Sequence, residues 1–323
     1  MKRKILSIDG GGIKGVYAAS FLAELEKHVP EGKCLADYFD IIAGTSTGAI
    51  IAVGIAVGIP VKKCLDLYRK HGKEIFPPRP AFWHLLRPYS TGPLQRNLES
   101  VFGNMILDDC ITRLEIPIYN TTDNHARILK TRHHPTYERD YKVRIVDALL
   151  STTAAPTFFR PYTFSEEYYK NKSYSYIDGG VGGNNPSMFA LTEGIARLNW
   201  PIEDMYMLSV SCLAQAKPIE KQLKMSVFSV PKLIEFYMNA ENTYSENTCH
   251  MILKDRFYRI EAKKQNKKDF RMDYAGRKEI DEMIWLGQNS TKWFLVDCMD
   301  DGRPGVVSTF LDEPVEKYER VKF

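Results

Sequence analysis

The sequence predicts a largely parallel α/β sheet with helices on both faces. The first sixty residues alternate short apolar strands with helical segments, and both strands end in glycine-rich turns. Two βα units in tandem require a parallel sheet covered on each side. Further β-rich stretches recur as far as about residue 210, after which the pattern becomes helical and more charged.

Residues 4–8 form the first apolar strand, and 16–29 carry Ala18, Leu22, Leu25 and Val29 at helical spacing. Residues 39–43 give the second strand and 47–59 the second helix. Residues 61–71, with Val61, Cys64, Leu65 and Tyr68 on one face, and 93–102, with Leu94, Leu98 and Val101, add two more helices. Later strands are expected at 114–119, 127–130, 174–177 and 205–210, and none beyond. The clearest C-terminal helices are 230–240 and 275–296, the latter a core-packing stripe of Ile280, Met283, Ile284, Gly287, Thr291, Phe294, Leu295 and Cys298. The expected division is a core at 1–210 and a mainly helical part at 211–323 packed on it.

Composition removes several classes. The chain has 323 residues, 44% hydrophobic and 26% charged, with 21 Gly and 17 Pro, close to soluble globular averages, which excludes collagen-like and disordered readings. A net charge of +4 is too mild for a dedicated DNA or RNA binder but permits approach to anionic surfaces. Cys34, Cys64, Cys110, Cys212, Cys249 and Cys298 include no CxxC pair and read as reduced thiols, so no metal is expected. The basic start leads into an apolar run, 5–8, that Asp9 and the glycines interrupt, so it does not read as a signal-peptide core and a cytoplasmic location is expected. Residues 41–61 lack charge and are long enough to span a membrane, yet their uninterrupted apolar part, 49–59, is too short. Strand, tight turn and helix fit them better.

Three constellations could carry chemistry. In Asp9-Gly10-Gly11-Gly12-Ile13-Lys14-Gly15, the glycines Gly10, Gly12 and Gly15 satisfy GxGxxG after a strand and before a helix, so a nucleotide-phosphate turn must be weighed. The acidic ribose hook such a turn needs is missing at the end of the second strand. There stands Gly44-Thr45-Ser46-Thr47-Gly48 instead, a GxSxG elbow that would lift Ser46 out of the sheet, or alternatively a helix cap. Adjacent parallel strands would bring the Gly11 and Gly12 amides to Ser46 as an oxyanion hole. The base is expected from Asp178, which closes a strand before Gly179 and Gly180, unless that aspartate serves an Asx turn instead. His250 is the only histidine late enough for a Ser-Asp-His order, without a turn signal that would place it at a sheet edge.

In order, these motifs resemble the DGGGx[RK]G, GxSxG and DG[GA] signature of patatin-like phospholipases. Residues 151–159 and Asn184-Asn185-Pro186 also look like family segments, and the resemblance covers roughly residues 4–210. Ser209-Val210-Ser211-Cys212 departs from it, since relatives often carry Gly-Thr-Gly there. The resemblance implies a three-layer α/β/α sandwich with a helical C-terminal extension. It also implies a Ser46–Asp178 dyad hydrolysing phospholipid esters without a cofactor, and an oxyanion hole from Gly11, Gly12 and neighbouring amides such as Lys14. The opening 4–16 looks like the phospholipase effectors of bacterial antiphage signalling, which implies a cyclic dinucleotide activator, self-association on activation and action at the inner face of the membrane. An unregulated lipase of the same fold and a nucleotide-binding protein are the alternatives. Residues 76–89, rich in Pro, Arg and aromatics, are expected to be either a lipid-contacting flap or a packed loop, and 158–176 are a second such candidate.

Overall fold

The computed structural model describes every residue except 79–87, 167, 169, 171, 214–229, 263–269, 297 and 323. Its strands are β1 (Arg3–Ile8), β2 (Ile41–Gly44), β3 (Arg113–Asn120), β4 (His125–Lys130), β5 (Tyr162–Glu166), β6 (Lys172–Asp178), β7 (Met205–Val210) and β8 (Phe257–Ile260). They form one sheet ordered β5-β6-β3-β2-β1-β7-β8, with β4 also paired to β3. The centre is parallel, and the β3, β4, β5, β6 flank is antiparallel.

The helices are α1 (Gly15–Glu26), α2 (Thr47–Ala56), α3 (Val61–Ile75), α4 (Gly92–Phe102), α5 (Ile145–Thr152), α6 (Gly180–Gly183), α7 (Ser187–Ala196), α8 (Val230–Leu253), α9 (Arg277–Phe294) and α10 (Val306–Phe310). Alternation along the strands divides the core into two layers. Leu6, Ile8 and Ile42 point into the larger one with α1, α2 and α3. Ile5, Ile41, Ala43 and Met207 point into the smaller one, against Leu191 of α7 and Cys249 and Leu253 of α8. Every residue of α2 is buried, so the chargeless stretch 41–61 is a central strand and a core helix. Among the described residues no helix is long and apolar enough to cross a membrane.

Three features depart from the expected pattern. β8 lies beyond residue 210 and pairs in parallel with β7, so the C-terminal third completes the sheet as well as adding helices. Its four residues are too few to show a period. β5 escaped notice because Thr163 and Ser165 alternate with Phe164, and their hydroxyls meet Ser175 and Ser173 across the hairpin on the exposed face. α8 continues thirteen residues past 240 through polar sequence, because Ser245, Cys249 and Leu253 repeat every fourth residue on its buried face.

The β5–β6 hairpin, whose last residue is Asp178, is fastened to β4 by a buried guanidinium. Arg127 donates to Glu166 at 2.7 Å through each terminal nitrogen, to Asp140 at 2.7 Å and to the Tyr176 hydroxyl at 2.8 Å. Removing the cation would leave the buried Glu166 carboxylate without its cationic partner and Asp140 with Arg139 alone. Arg127→Met is therefore expected to lower unfolding free energy by about 3–5 kcal/mol in urea titration; a loss below about 1 kcal/mol would show that the network does not hold the hairpin.

Candidate active site

The site is assembled on one edge of β3. β4 covers the other edge from Glu115 to Asn120. β2 therefore shares its edge with β6: β2 pairs with residues 113–115, and β6, running the opposite way, pairs with 118–120. The two strands approach end to end and leave a gap at Pro117. A proline suits that position, since a strand residue directs its N and C=O to the same edge and no neighbour waits there for an N–H. The Pro117 carbonyl accepts from the Thr152 hydroxyl at 2.7 Å, and that oxygen accepts from the Ser46 amide at 3.0 Å. The Asp178 amide bonds to the Ala154 carbonyl at 3.0 Å. The end of α5 thus ties the two strand ends together.

Ser46 occupies the N-cap position of α2 without capping it. Its backbone sits at φ 54°, ψ −123°, and its side chain makes no bond to the first-turn amides. A non-glycine residue at positive φ is strained, and here the strain aims the hydroxyl away from the helix. Gly48 allows the turn to press on the first glycine turn: a Cβ there would lie 2.4 Å and 2.5 Å from the carbonyls of Ile8 and Asp9.

Ser46 is 6% exposed and Asp178 2%. Burial pushes the Asp178 carboxyl up to about 7, against the pull of the nearby Ser46 side chain and of the Gly180 amide, which donates to it. The Gly180 bond measures 2.7 Å. A carboxyl that is half ionised near neutrality is a far better base than one at its ordinary value.

The first glycine turn is held on both sides. Arg259 of β8 grips the Asp9 carboxylate at 3.0 and 2.6 Å, the Gly10 amide donates to the Asn184 carbonyl, and the Ile13 amide to that of Met272. Among the described residues, the amides of Gly11 and Gly12 donate to no protein acceptor. Gly12 has φ +59°. A pocket of about 560 Å³ opens beside Gly12, Ser46 and Thr47, walled by Ile50, Phe76, Leu94, Phe158 and Phe159. Its apolar walls suit an acyl chain.

A family model described as patatin-like phospholipase matches residues 6–191. The chain belongs to the patatin-like phospholipase family. Among its patatin-like relatives, a cGAMP-activated phospholipase of Escherichia coli (strain TW11681) is 32% identical over 227 residues, 66% of this chain and 62% of that protein. A cGAMP-activated phospholipase of Vibrio cholerae serotype O1 is 35% identical over 207 residues, 59% of this chain and 57% of that one. Patatin-like protein 4 of Arabidopsis thaliana is 33% identical over 207 residues, 58% of this chain and 51% of that one. The chain spans less than two thirds of the length of each of these relatives.

The three patatin-like motifs thus converge, but not every residue expected at the site is there. Lys14 lies off the oxyanion position: its amide donates to the Gly11 carbonyl at 3.2 Å and its ammonium pairs with Glu235 of α8 at 3.0 Å. The open phosphate cradle of the nucleotide reading is filled, since a Cβ on Gly12 would meet the Met272 carbonyl at 2.3 Å and one on Gly15 the Thr47 hydroxyl at 2.4 Å. His250 is exposed on α8, edge-on to Phe257, and lines neither the apolar pocket nor the polar one behind the glycine turn. The departure at 209–212 is accommodated: Ser209 accepts from Arg259 at 2.7 Å, and the Cys212 thiol reaches the Asp9 carbonyl at 3.0 Å. Of 76–89, residues 79–87 lie outside the described residues, while Phe76 and Tyr89 pack against each other and on Phe159. Of 158–176, Phe158 and Phe159 wall the apolar pocket.

Two partners escaped sequence reasoning. Thr152 sits in a small-residue stretch whose spacing gives no sign of a bridging role, and Arg259 lies far along the chain in a strand too short to notice. Glu115, His133 and Glu193 also converge, a grouping with metal-ligand potential. Lys130 occupies their midst, 3.2 Å from Glu115 and hydrogen-bonded to Glu193, and so stands where it pairs with both carboxylates.

A carboxyl raised by burial opposes folding once it ionises. With the native value near 7 and the unfolded one near 3.8, the native state binds the proton more tightly, so stability falls as pH rises between them. Asp178→Asn should therefore be more stable than the parent above pH 8, by about 1–3 kcal/mol in urea titration. A less stable variant at that pH would contradict the burial argument.

Proposed function

We propose that the chain is a serine acyl hydrolase of phospholipid esters, with Ser46 as nucleophile and Asp178 as general base. One observation carries this reading: a strained, non-capping serine hydroxyl faces a buried carboxyl held near 7. Asp178 takes the Ser46 proton as Oγ attacks the ester carbonyl, and the oxyanion meets the Gly11 and Gly12 amides. Asp178 then returns the proton to the leaving lysophospholipid oxygen, and the acyl group stays on Ser46 with its chain in the apolar pocket. Water completes the cycle with Asp178 again as base.

Two features support control by a ligand. Relatives at 32% and 35% identity are named for activation by cGAMP, and a hydrolase with this site, left unregulated, would attack its own cell's membrane. We assign the activator to the cyclic dinucleotides, with self-association as the accompanying change and antiphage defence as the setting. The plant relative at 33% identity carries no activator in its name, so similarity alone does not select between regulated and unregulated members.

The test is fatty-acid release from anionic phospholipid vesicles by the purified chain, with and without cGAMP and other cyclic di- and trinucleotides. Release is expected to rise with one of them, since an activator must bind the active form more tightly than the resting one. Ser46→Ala should reduce release by at least about a thousandfold and abolish labelling by a fluorophosphonate. Retained release in Ser46→Ala would end the nucleophile assignment, and full release without nucleotide, unchanged on adding any, would end the activator assignment alone.

A further inference from the structure

The deacylating water needs a place to stand, and the apolar pocket does not offer one. Once an acyl chain lies along Ile50, Phe76 and Phe158, water must reach the acyl carbon from the opposite side. Behind the glycine turn is a second pocket of about 300 Å³, polar in character, bordered by Gly10, Gly11, Asn184, Ser211 and Asn242.

Asn184 stands between that pocket and the dyad. It is 2% exposed, and its amide orientation is set by its donor side: Nδ2 donates to the Gly10 carbonyl at 3.2 Å and to Asn242 Oδ1 at 2.9 Å. That leaves Oδ1 buried with no protein donor among the described residues. An acceptor in this condition costs free energy unless something donates to it.

The surroundings of Oδ1 are cleared by two glycines. A Cβ on Gly10 would fall 2.4 Å from this oxygen and 3.3 Å from Ser46 Cβ. A Cβ on Gly180 would fall 3.0 Å from it and 3.0 Å from Asp178 Oδ1. Asn184 Oδ1 therefore lies no more than about 6 Å from Asp178 Oδ1 and about as close to Ser46 Cβ. One water hydrogen-bonded to both oxygens, at about 2.8 Å each, needs a separation of at most about 5.6 Å, which falls within that bound.

Building on the Ser46–Asp178 reading above, we propose that Asn184 is a positioning residue for the hydrolytic water. Water reaches it through the polar pocket and donates one hydrogen to Asn184 Oδ1 and the other to Asp178. In deacylation the water oxygen bonds to the acyl carbon while its proton passes to the Asp178 carboxylate. The tetrahedral intermediate then breaks its bond to Ser46 Oγ, Asp178 returns the proton to that oxygen, and a free fatty acid leaves with the serine restored. Acylation involves no water, so Asn184 should matter mainly to the second half of the cycle.

The experiment separates the two halves in Asn184→Ala. Fluorophosphonate labelling of Ser46, which requires the elbow and the glycine turn but no water, should stay within about threefold of the parent. Turnover of a p-nitrophenyl ester should fall by about tenfold or more, with a burst of one nitrophenol per chain and an acyl adduct on Ser46 in the intact mass. Asn184→Asp keeps the shape and the acceptor but adds a carboxylate beside Asp178, and the pH midpoint of turnover should rise by about one unit. Labelling and turnover falling together, turnover unchanged, or an unmoved midpoint in Asn184→Asp would each overturn the inference. Failure of the unsubstituted chain to label at Ser46 would instead overturn the dyad reading, and this inference with it.

Discussion

Two strands share one edge of β3 and meet head to head, and the site depends on that arrangement. β2 delivers Ser46 from one direction and β6 delivers Asp178 from the other, with β3 setting the distance between them through its register. Because β2 is parallel to β3 and β6 antiparallel, Ser46 and Asp178 both sit at C-terminal strand ends. The same constraint explains the mixed sheet: an all-parallel extension beyond β2 would leave no strand end facing Ser46. Pro117 in the gap and Thr152 across it occupy the backbone positions that neither strand can satisfy.

Closing this gap removes Asp178 from water, and chemistry and stability then pull in opposite directions. Burial gives the carboxyl a basicity that an exposed aspartate lacks, and it makes the ionised form a liability to the fold. Buried ion pairs lie on either side. Arg127 secures the hairpin that ends in Asp178, and Arg259 secures the Asp9 turn that faces Ser46. Both guanidiniums are bidentate, which fixes direction as well as charge. α8 adds a lid of polar contacts through Glu235, Glu241 and Asn242, which reach Lys14, the Asn185 amide and Asn184.

Much of this was legible because it is local. The βα units, the elbow at Ser46 and the close of a strand at Asp178 each leave a mark in a few consecutive residues. Asp178 and Ser46 could be paired from sequence because both stand at strand ends beside glycines. What escaped is carried by contacts distant in sequence: β8 is recognisable only by its pairing with β7, and Arg259 only by its grip on Asp9. Lys14 stands in the first motif, where its amide donates to the Gly11 carbonyl. A motif records which residue is needed but not what its amide and its side chain meet: here the Gly11 carbonyl takes the amide, and Glu235, more than two hundred residues away, takes the ammonium.

The central claim is that burial makes Asp178 the base that activates Ser46. The most direct measurement is the rate of fluorophosphonate labelling of Ser46 between pH 5 and 9, in the parent and in Asp178→Asn. The account predicts a rate that rises with pH through a single ionisation near 7 in the parent, and a much lower rate without that ionisation in the variant. A parent rate that stays flat across this range, or a variant that keeps the same profile, would contradict it.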